Sequence, residues 1–99
     1  MFVKIDKLEI SMQNSAARPH IETEVLYINS SSILSIADYE GIKSFLQTEG
    51  SRYASEDFSL LKLTQGSKII EMIAFGTARA LCHKFEKDTP ASAKLLLND

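Results

Sequence analysis

Apolar side chains near the N-terminus change sides within a single run, FVKIDKLEISM. Side chains alternate along a strand, so odd and even positions lie on opposite faces. The apolar residues use first one face and then the other: Val3 and Ile5, then Leu8, Ile10 and Met12. This pattern predicts one strand over residues 2–12, with a bulge or bend near Asp6–Lys7 that changes which side is buried.

Two further strands are predicted before residue 38. The segment TEVLYIN, Thr23–Asn29, is rich in β-branched and aromatic residues, which favours a strand buried on both faces. After a polar break at Ser30–Ser32, Ile33–Ala37 predicts another strand. Between the first predicted strand and Thr23 lies QNSAARPHI, residues 13–21. This segment consists largely of polar and small residues and contains Pro19, so it indicates a loop.

Residues 39–57 admit two interpretations. In the first, Asp38 caps a helix that ends before Gly50, because its carboxylate can accept a bond from a first-turn N–H and glycine tolerates the positive φ beyond a helix end. In the second, the segment is an irregular insertion running to Asp57. The helical interpretation would place four apolar residues on one face: Tyr39, Ile42, Phe45 and Leu46.

A β-hairpin is predicted around Gln65–Gly66, between Phe58–Thr64 and Ser67–Phe75. A two-residue loop containing glycine fixes the register of the strands that it joins. With these two residues as the loop, three facing pairs follow: Thr64 with Ser67, Leu61 with Ile70, and Ser59 with Met72. Lys62 and Glu71 would then be diagonal neighbours of opposite charge.

The period of the apolar positions changes from that of a strand to that of a helix at Gly76. We therefore expect a helix from Thr77 to about Lys87, in which four residues form a buried arc about 100° wide: Ala78, Leu81, Cys82 and Phe85. Thr89–Pro90 repeats a helix-start signal, so residues 90–99 are expected to be a C-terminal tail or short helix.

Together these elements predict a single α+β domain over residues 1–99. Its antiparallel sheet would have about five strands, arranged as a meander or small open barrel. One amphipathic C-terminal helix would pack on the sheet, with one or two weaker short helices besides.

Composition narrows the classes of protein further. The single cysteine, Cys82, excludes an internal disulfide and suits a reducing, cytoplasmic location. Acidic residues interrupt the N-terminal apolar run, which is unlike a signal peptide, and no segment approaches the roughly 20 apolar residues of a membrane helix. The net charge is −2, which does not suggest bulk affinity for nucleic acid. Residues 20–61 are acidic and residues 62–99 mildly basic.

Two segments, YINSSSILSI and LKLTQGSKII, carry a local resemblance. They span residues 27–36 and 61–70 and are similar to a strand–turn–strand pattern of small flagellar proteins of the FlbD/SwrD type. A long insertion separates the two segments, and AFGTARAL stands where that family has an acidic stretch. The resemblance implies a strand pattern, and no function or site residue follows from it.

No motif for catalysis, metal binding or phosphate binding is present. Cys82 falls on the predicted buried arc, and His83, its neighbour, points about 100° away around the helix. His20 and His83 lack metal-ligand spacing. Glu22 and Glu24 share a strand face, as a pair of catalytic carboxylates could, but a solvated strand face explains these two acids equally well. We therefore expect no enzyme, cofactor, metal or small-molecule ligand.

Elimination leaves protein–protein interaction as the expected function, in a small accessory, regulatory or inhibitory module of microbial or phage-like character. The expected partners are another protein, a second copy in a homodimer, or both. Binding to the phosphate backbone of nucleic acid through the basic face of the last helix is the alternative, and an enzyme subunit that needs a partner is a further one. The candidate interaction residues are Arg79, His83, Lys84, Lys87, Leu95, Leu96 and Leu97.

Overall fold

The computed structural model describes residues 1–12 and 19–87. Within them lie five strands and two α-helices, with short 3₁₀ turns at Ser30–Ser32 and Arg52–Ser55. The strands are β1 (Phe2–Ser11), β2 (His20–Asn29), β3 (Ile33–Asp38), β4 (Phe58–Gln65) and β5 (Lys68–Phe75). The helices are α1 (Lys43–Thr48) and α2 (Ala78–Lys87). The predicted tail, residues 90–99, lies outside the described residues.

The five strands form one antiparallel sheet in the order β2-β1-β5-β4-β3. The expected α+β class with an antiparallel sheet is thus confirmed. The order departs from a meander, which would place β3 beside β2. Instead β1 and β2 form one ribbon, β3, β4 and β5 form a second unit, and β1 joins β5. Among the described residues this joint is a single pair, Lys7 opposite Ala74.

The apolar residues of β1 change sides as predicted, but no bulge is involved. The pairing of β1 with β2 runs without a shift from Phe2 opposite Asn29 to Ser11 opposite His20. The change arises because a different helix covers each face of the sheet. Ile5 packs under α2 with Leu81, whereas Leu8 packs under α1 with Leu46. We call these two sides of the sheet the α2 face and the α1 face.

Two hydrophobic clusters fill the two faces. The cluster on the α2 face contains six buried residues: Ile5, Ile28, Leu61, Leu63, Ala74 and Leu81. The cluster on the α1 face is built on Leu8, Leu46 and Phe58. The rings of Phe58 and Phe75 lie 5.0 Å apart in this second cluster, a separation typical of favourable aromatic pairs.

The predicted hairpin is present, but its register is shifted. Gln65 lies opposite Lys68, and the loop is Gly66–Ser67. The only positive φ in this loop is that of Gly66, at 65°. The two turn types that make two-residue hairpin loops, I′ and II′, both require a positive φ at the first loop residue. Glycine adopts this φ without strain, whereas Gln65 would be strained by it.

The corrected register changes each predicted partner while keeping every side chain on its predicted face. Leu61 lies opposite Met72 instead of Ile70. Lys62 and Glu71, predicted as diagonal neighbours, are directly opposite and form an ion pair at 3.8 Å. The faces are kept because a loop displaced by one residue moves the pairing by two, and side chains alternate with a period of two.

Residues 39–57 combine both sequence interpretations. α1 is a single short helix, and Gly50 follows it with a φ of 66°, as expected of a residue beyond a helix end. Asp38 does not cap α1, whose first turn has no side-chain cap. Gly41 lies before the helix, where a Cβ atom would come within 2.8 Å of the Tyr39 ring. A larger residue at position 41 would therefore require the end of the Tyr39 side chain to move.

Candidate interaction surfaces

The start of α2 is fixed by two oxygen acceptors. The Oγ1 atom of Thr77 accepts a hydrogen bond from the Ala80 N–H at 3.1 Å, which is the expected N-cap interaction. The Oδ1 atom of Asp38 accepts from the Ala78 N–H at 2.7 Å. The cap that the sequence assigned to α1 therefore serves α2, and it ties the end of edge strand β3 to this helix.

The predicted burial of Cys82 is wrong: the thiol is exposed. The side of α2 that packs on the sheet is narrower than predicted. Leu81 is buried and Phe85 packs against the same cluster, whereas Cys82 follows Leu81 by 100° around the helix. Leu81 and Phe85 lie about 40° apart around the helix, and Cys82 lies about 60° beyond Phe85, outside this contact arc.

One basic residue of α2, Lys84, contacts the sheet. The Lys84 Nζ atom donates a hydrogen bond to the Lys4 carbonyl at 2.6 Å, so this ammonium serves to attach α2 to β1. His83 is exposed and its Nδ1 atom lies 4.0 Å from Glu86. Arg79 is exposed. The side chain of Lys87 and the three leucines Leu95, Leu96 and Leu97 lie outside what the structure describes.

An open depression of about 630 Å³ lies beside the outer side of α2. Its described lining comprises Thr77, Arg79, Ala80, Cys82, His83 and Glu86. A thiol and an imidazole are thus present, but they sit on consecutive helical positions that point in different directions. Within residues 1–12 and 19–87, no group of three His, Cys, Asp or Glu side chains is placed to hold a metal ion.

An acidic group surrounds Lys7 where β1 and β2 pair. Lys7 donates a hydrogen bond to Glu9 at 2.8 Å and lies 4.0 Å from Glu24. Glu9 lies directly opposite Glu22, whose carboxylate is 3.0 Å from the His20 ring. The hydrogen bond from Lys7 lowers the pKa of the Glu9 carboxyl below its ordinary value. The Lys7 ammonium therefore offsets part of the negative charge on the α2 face.

The β1–β2 ribbon carries an exposed apolar surface on the α1 face. Phe2 and Tyr27 are each 67% exposed and Val25 is 49% exposed. All three lie on the same side as Leu8, because Val25 and Tyr27 are opposite Asp6 and Lys4 in the ribbon. We call these three residues the ribbon patch.

The α1 side of the fold ends just short of the ribbon patch. Tyr53, in the 3₁₀ turn after α1, packs edge-to-face on Phe75 with centroids 5.2 Å apart. Its phenol also interacts with Thr23 of β2, and this hydrogen bond and one from Arg52 lower the pKa of Tyr53 below its ordinary value. The α1 side of the fold therefore covers β2 as far as Thr23, and it leaves Val25 and Tyr27 uncovered.

The two edges of the sheet differ in their protection. β3, at one edge, is six residues long and its register with β4 shifts between Ile33 and Ser35. Irregularities of this kind and short length both hinder pairing with another strand. β2, at the other edge, is ten residues long, pairs regularly with β1 and contains neither lysine nor proline; its two acidic residues, Glu22 and Glu24, lie in its first half.

The exposure of β2 corrects the prediction of a strand buried on both faces. Ile28 is buried, but Val25 and Tyr27 are exposed. The sequence reasoning missed the ribbon patch because burial depends on strand order, and among the described strands β2 has one neighbour instead of two. Glu22 and Glu24 in the same strand were the available signal, since charged residues are seldom found in a strand covered on both faces.

Comparison of the chain with known protein families, with curated protein sequences and with solved structures finds no match. The helices in the described ranges are too short, or too polar, to cross a membrane. The fold and surfaces above define a small α+β domain with an open five-stranded antiparallel sheet.

Proposed function

We propose that this chain is a small protein-interaction module that binds through the ribbon patch. The supporting observation is the exposure of Phe2, Val25 and Tyr27 on the α1 face of the ribbon. The other end of this face, around Leu8, is covered by the α1 side of the fold. Large apolar side chains grouped on a surface are typical of interaction sites. Aromatic residues in particular contribute strongly to protein–protein binding.

In this proposal α2 has a structural role as an amphipathic helix packed on the α2 face. Leu81 and Phe85 join the cluster there, while Asp38 and Lys84 attach the helix to β3 and β1. The use of Lys84 in an internal contact favours this role over phosphate binding. The predicted contributions of Arg79, His83, Lys87 and the three C-terminal leucines to binding stay predictions.

The ribbon patch can be tested by comparing capture of partners by matched variants. The wild-type chain and a Phe2→Lys/Tyr27→Lys variant would be immobilised at equal density and exposed to a lysate of the source cell. Ile69→Lys is the matched control, because Ile69 is 66% exposed on the α1 face but lies next to the Gly66–Ser67 loop. Circular dichroism and urea denaturation would verify that all three chains are folded.

We expect at least one protein, the chain itself included, to be retained by the wild type and by Ile69→Lys and lost with the double variant. Equal retention by the double variant would contradict the proposal. The nucleic-acid alternative is tested separately by binding to labelled duplex and single-stranded DNA and RNA at physiological salt. We expect no measurable binding; micromolar binding that Arg79→Gln/Lys87→Gln abolishes would favour the alternative instead.

A further inference from the structure

The backbone hydrogen bonds of the ribbon show which groups of β2 face outward. The Ser30 N–H donates to the Met1 carbonyl at 2.8 Å. In a regular antiparallel pair, hydrogen-bonded and non-hydrogen-bonded positions alternate. Even-numbered residues of β2 therefore direct their N–H and C=O groups towards β1. The odd-numbered residues, Ile21, Thr23, Val25, Tyr27 and Asn29, direct theirs to the outer edge, with which no described strand pairs.

We propose that this edge pairs with the same edge of a second copy of the chain. The two β2 strands would run antiparallel about a two-fold axis perpendicular to the sheet, making one continuous sheet across both protomers. This inference rests on the proposed function, and names the partner that covers Val25 and Tyr27. Facing residues of the two copies must lie on the same face of the joined sheet. Because side chains alternate along a strand, the axis must then pass beside a residue of β2 and not midway between two residues.

The glutamates of β2 select among the possible positions of the axis. An axis at Glu24 places this carboxylate against the partner's Glu24, and an axis at Thr23 places Glu22 against the partner's Glu24. An axis at Val25 makes the two Glu24 side chains diagonal neighbours. Like charges at facing positions oppose strand pairing, and diagonal neighbours are still within reach of long side chains.

An axis at Leu26 is the first position that separates these acids. Glu24 then faces the partner's Ile28, and seven residues of each strand, 23–29, are paired. An axis at Tyr27 would also separate the acids but would pair only residues 25–29. The longer pairing uses more of the outward-facing backbone groups, so we place the axis at Leu26.

At its centre, this register also brings apolar residues together on both faces. On the α1 face, Val25 faces the partner's Tyr27, and the symmetry produces this pair twice. Aromatic and β-branched residues form favourable cross-strand pairs, and both of these side chains are exposed in the single chain. On the α2 face, Leu26 packs against the cluster around Ile5 and would meet the partner's Leu26, which joins the two cores.

Sedimentation of matched variants of the full chain tests the pairing. We expect the wild type to be a dimer at high micromolar concentration and Val25→Lys to weaken dimerisation at least tenfold. Leu34→Lys is the control, because Leu34 is 54% exposed on edge strand β3 and lies outside the interface; it should dimerise as the wild type does. A monomeric wild type, or an unaffected Val25→Lys variant, would overturn the proposal.

Cysteine cross-linking tests the register, in a Cys82→Ser background that removes the exposed native thiol. Across the axis, the Leu26 positions form a non-hydrogen-bonded pair with Cα atoms about 4.5 Å apart, within the range that a disulfide spans. The two Val25 positions are diagonal, about 7–8 Å apart, and too distant. Leu26→Cys should therefore give a covalent dimer on mild oxidation and Val25→Cys should not. The reverse result would overturn the register.

These outcomes separate this inference from the proposed function. A monomeric wild type that still captures another protein through the ribbon patch would overturn the self-pairing and leave the proposed function standing. A wild-type dimer lost in Val25→Lys, together with equal capture of other proteins by the Phe2→Lys/Tyr27→Lys variant, would retain self-pairing and refute binding of other partners through the patch.

Discussion

Replacing Asp38 by alanine should destabilise the domain through α2, which begins 40 residues further along the chain. The Asp38 carboxylate accepts from the Ala78 N–H at 2.7 Å, at the positive end of the helix dipole. Loss of a side-chain acceptor at a helix start costs about 0.5–2 kcal/mol, and loss of a negative charge there about 0.3–1 kcal/mol. We expect Asp38→Ala to lower the free energy of unfolding by about 1–2 kcal/mol.

Three further variants divide this loss into its physical causes. Asp38→Asn keeps an acceptor and loses the charge, so it should cost about 0.3–1 kcal/mol and its deficit should shrink in salt. Thr77→Ala removes the other cap and should cost about 1 kcal/mol. Glu40→Ala is the control, because the Glu40 side chain is 81% exposed and its ion pair with Lys43 is at the surface; it should change stability by less than about 0.5 kcal/mol.

Urea denaturation followed by circular dichroism gives the required free energies, and the slope against urea verifies that each variant unfolds from a comparable state. In a thermal scan, each kcal/mol should appear as a fall of about 4–8 °C in Tm for a domain of this size. An Asp38→Ala variant as stable as Glu40→Ala would refute the assignment of this carboxylate as the cap of α2.

Three other predictions follow from particular contacts. Cys82 should react stoichiometrically with a thiol reagent in the folded chain, because its side chain is exposed; a reaction that waits for denaturation would contradict that exposure. Gly66→Ala should destabilise the hairpin by about 1 kcal/mol in urea denaturation, because the φ of Gly66 is positive, and Gly66→Asn should recover part of the loss. Lys7→Met should raise the pKa of Glu9 measured by NMR, because the hydrogen bond from Lys7 lowers it. The stabilisation from Glu9 is present above the unfolded pKa and lost as the pH falls through the folded pKa, so Lys7→Met should make stability less sensitive to acid; an unchanged pKa would contradict the contact.

Local chemistry predicted the elements of this fold better than their partners. The change of period at Gly76 placed the boundary between β5 and α2 within two residues, because both periods are read from neighbouring positions. The register of the hairpin could also have been read from the sequence, since glycine fits the first position of the loop and glutamine does not. Asp38 shows the limit: its capping chemistry was identified, but the helix that it caps depends on how the chain folds back.

The ribbon patch shows the same limit for the candidate site. Val25 and Tyr27 belong to an apolar run that favours a central strand, and only the strand order makes that run an edge. Cys82 was misplaced because the width of the buried side of a helix depends on what it packs against. The apolar period of α2 predicted correctly that Leu81 and Phe85 lie on the side that packs on the sheet, and these are the α2 residues that join the cluster there.

The single pair between Lys7 and Ala74 has a consequence for the order in which the domain assembles. The β1–β2 ribbon and the β3–β4–β5 unit each form through contacts that are comparatively close in sequence, whereas this pair joins residues near opposite ends of the described chain. Closing so long a loop costs more entropy than closing a hairpin. The two units should therefore acquire structure first and dock last. In the folded state, separating the two units would expose Ile5 and Leu8, which are buried in clusters shared with residues of β4, and would leave the ribbon as a two-stranded hairpin, which is marginally stable alone. The amides beside the Lys7–Ala74 pair should therefore exchange with solvent only through opening of the whole domain.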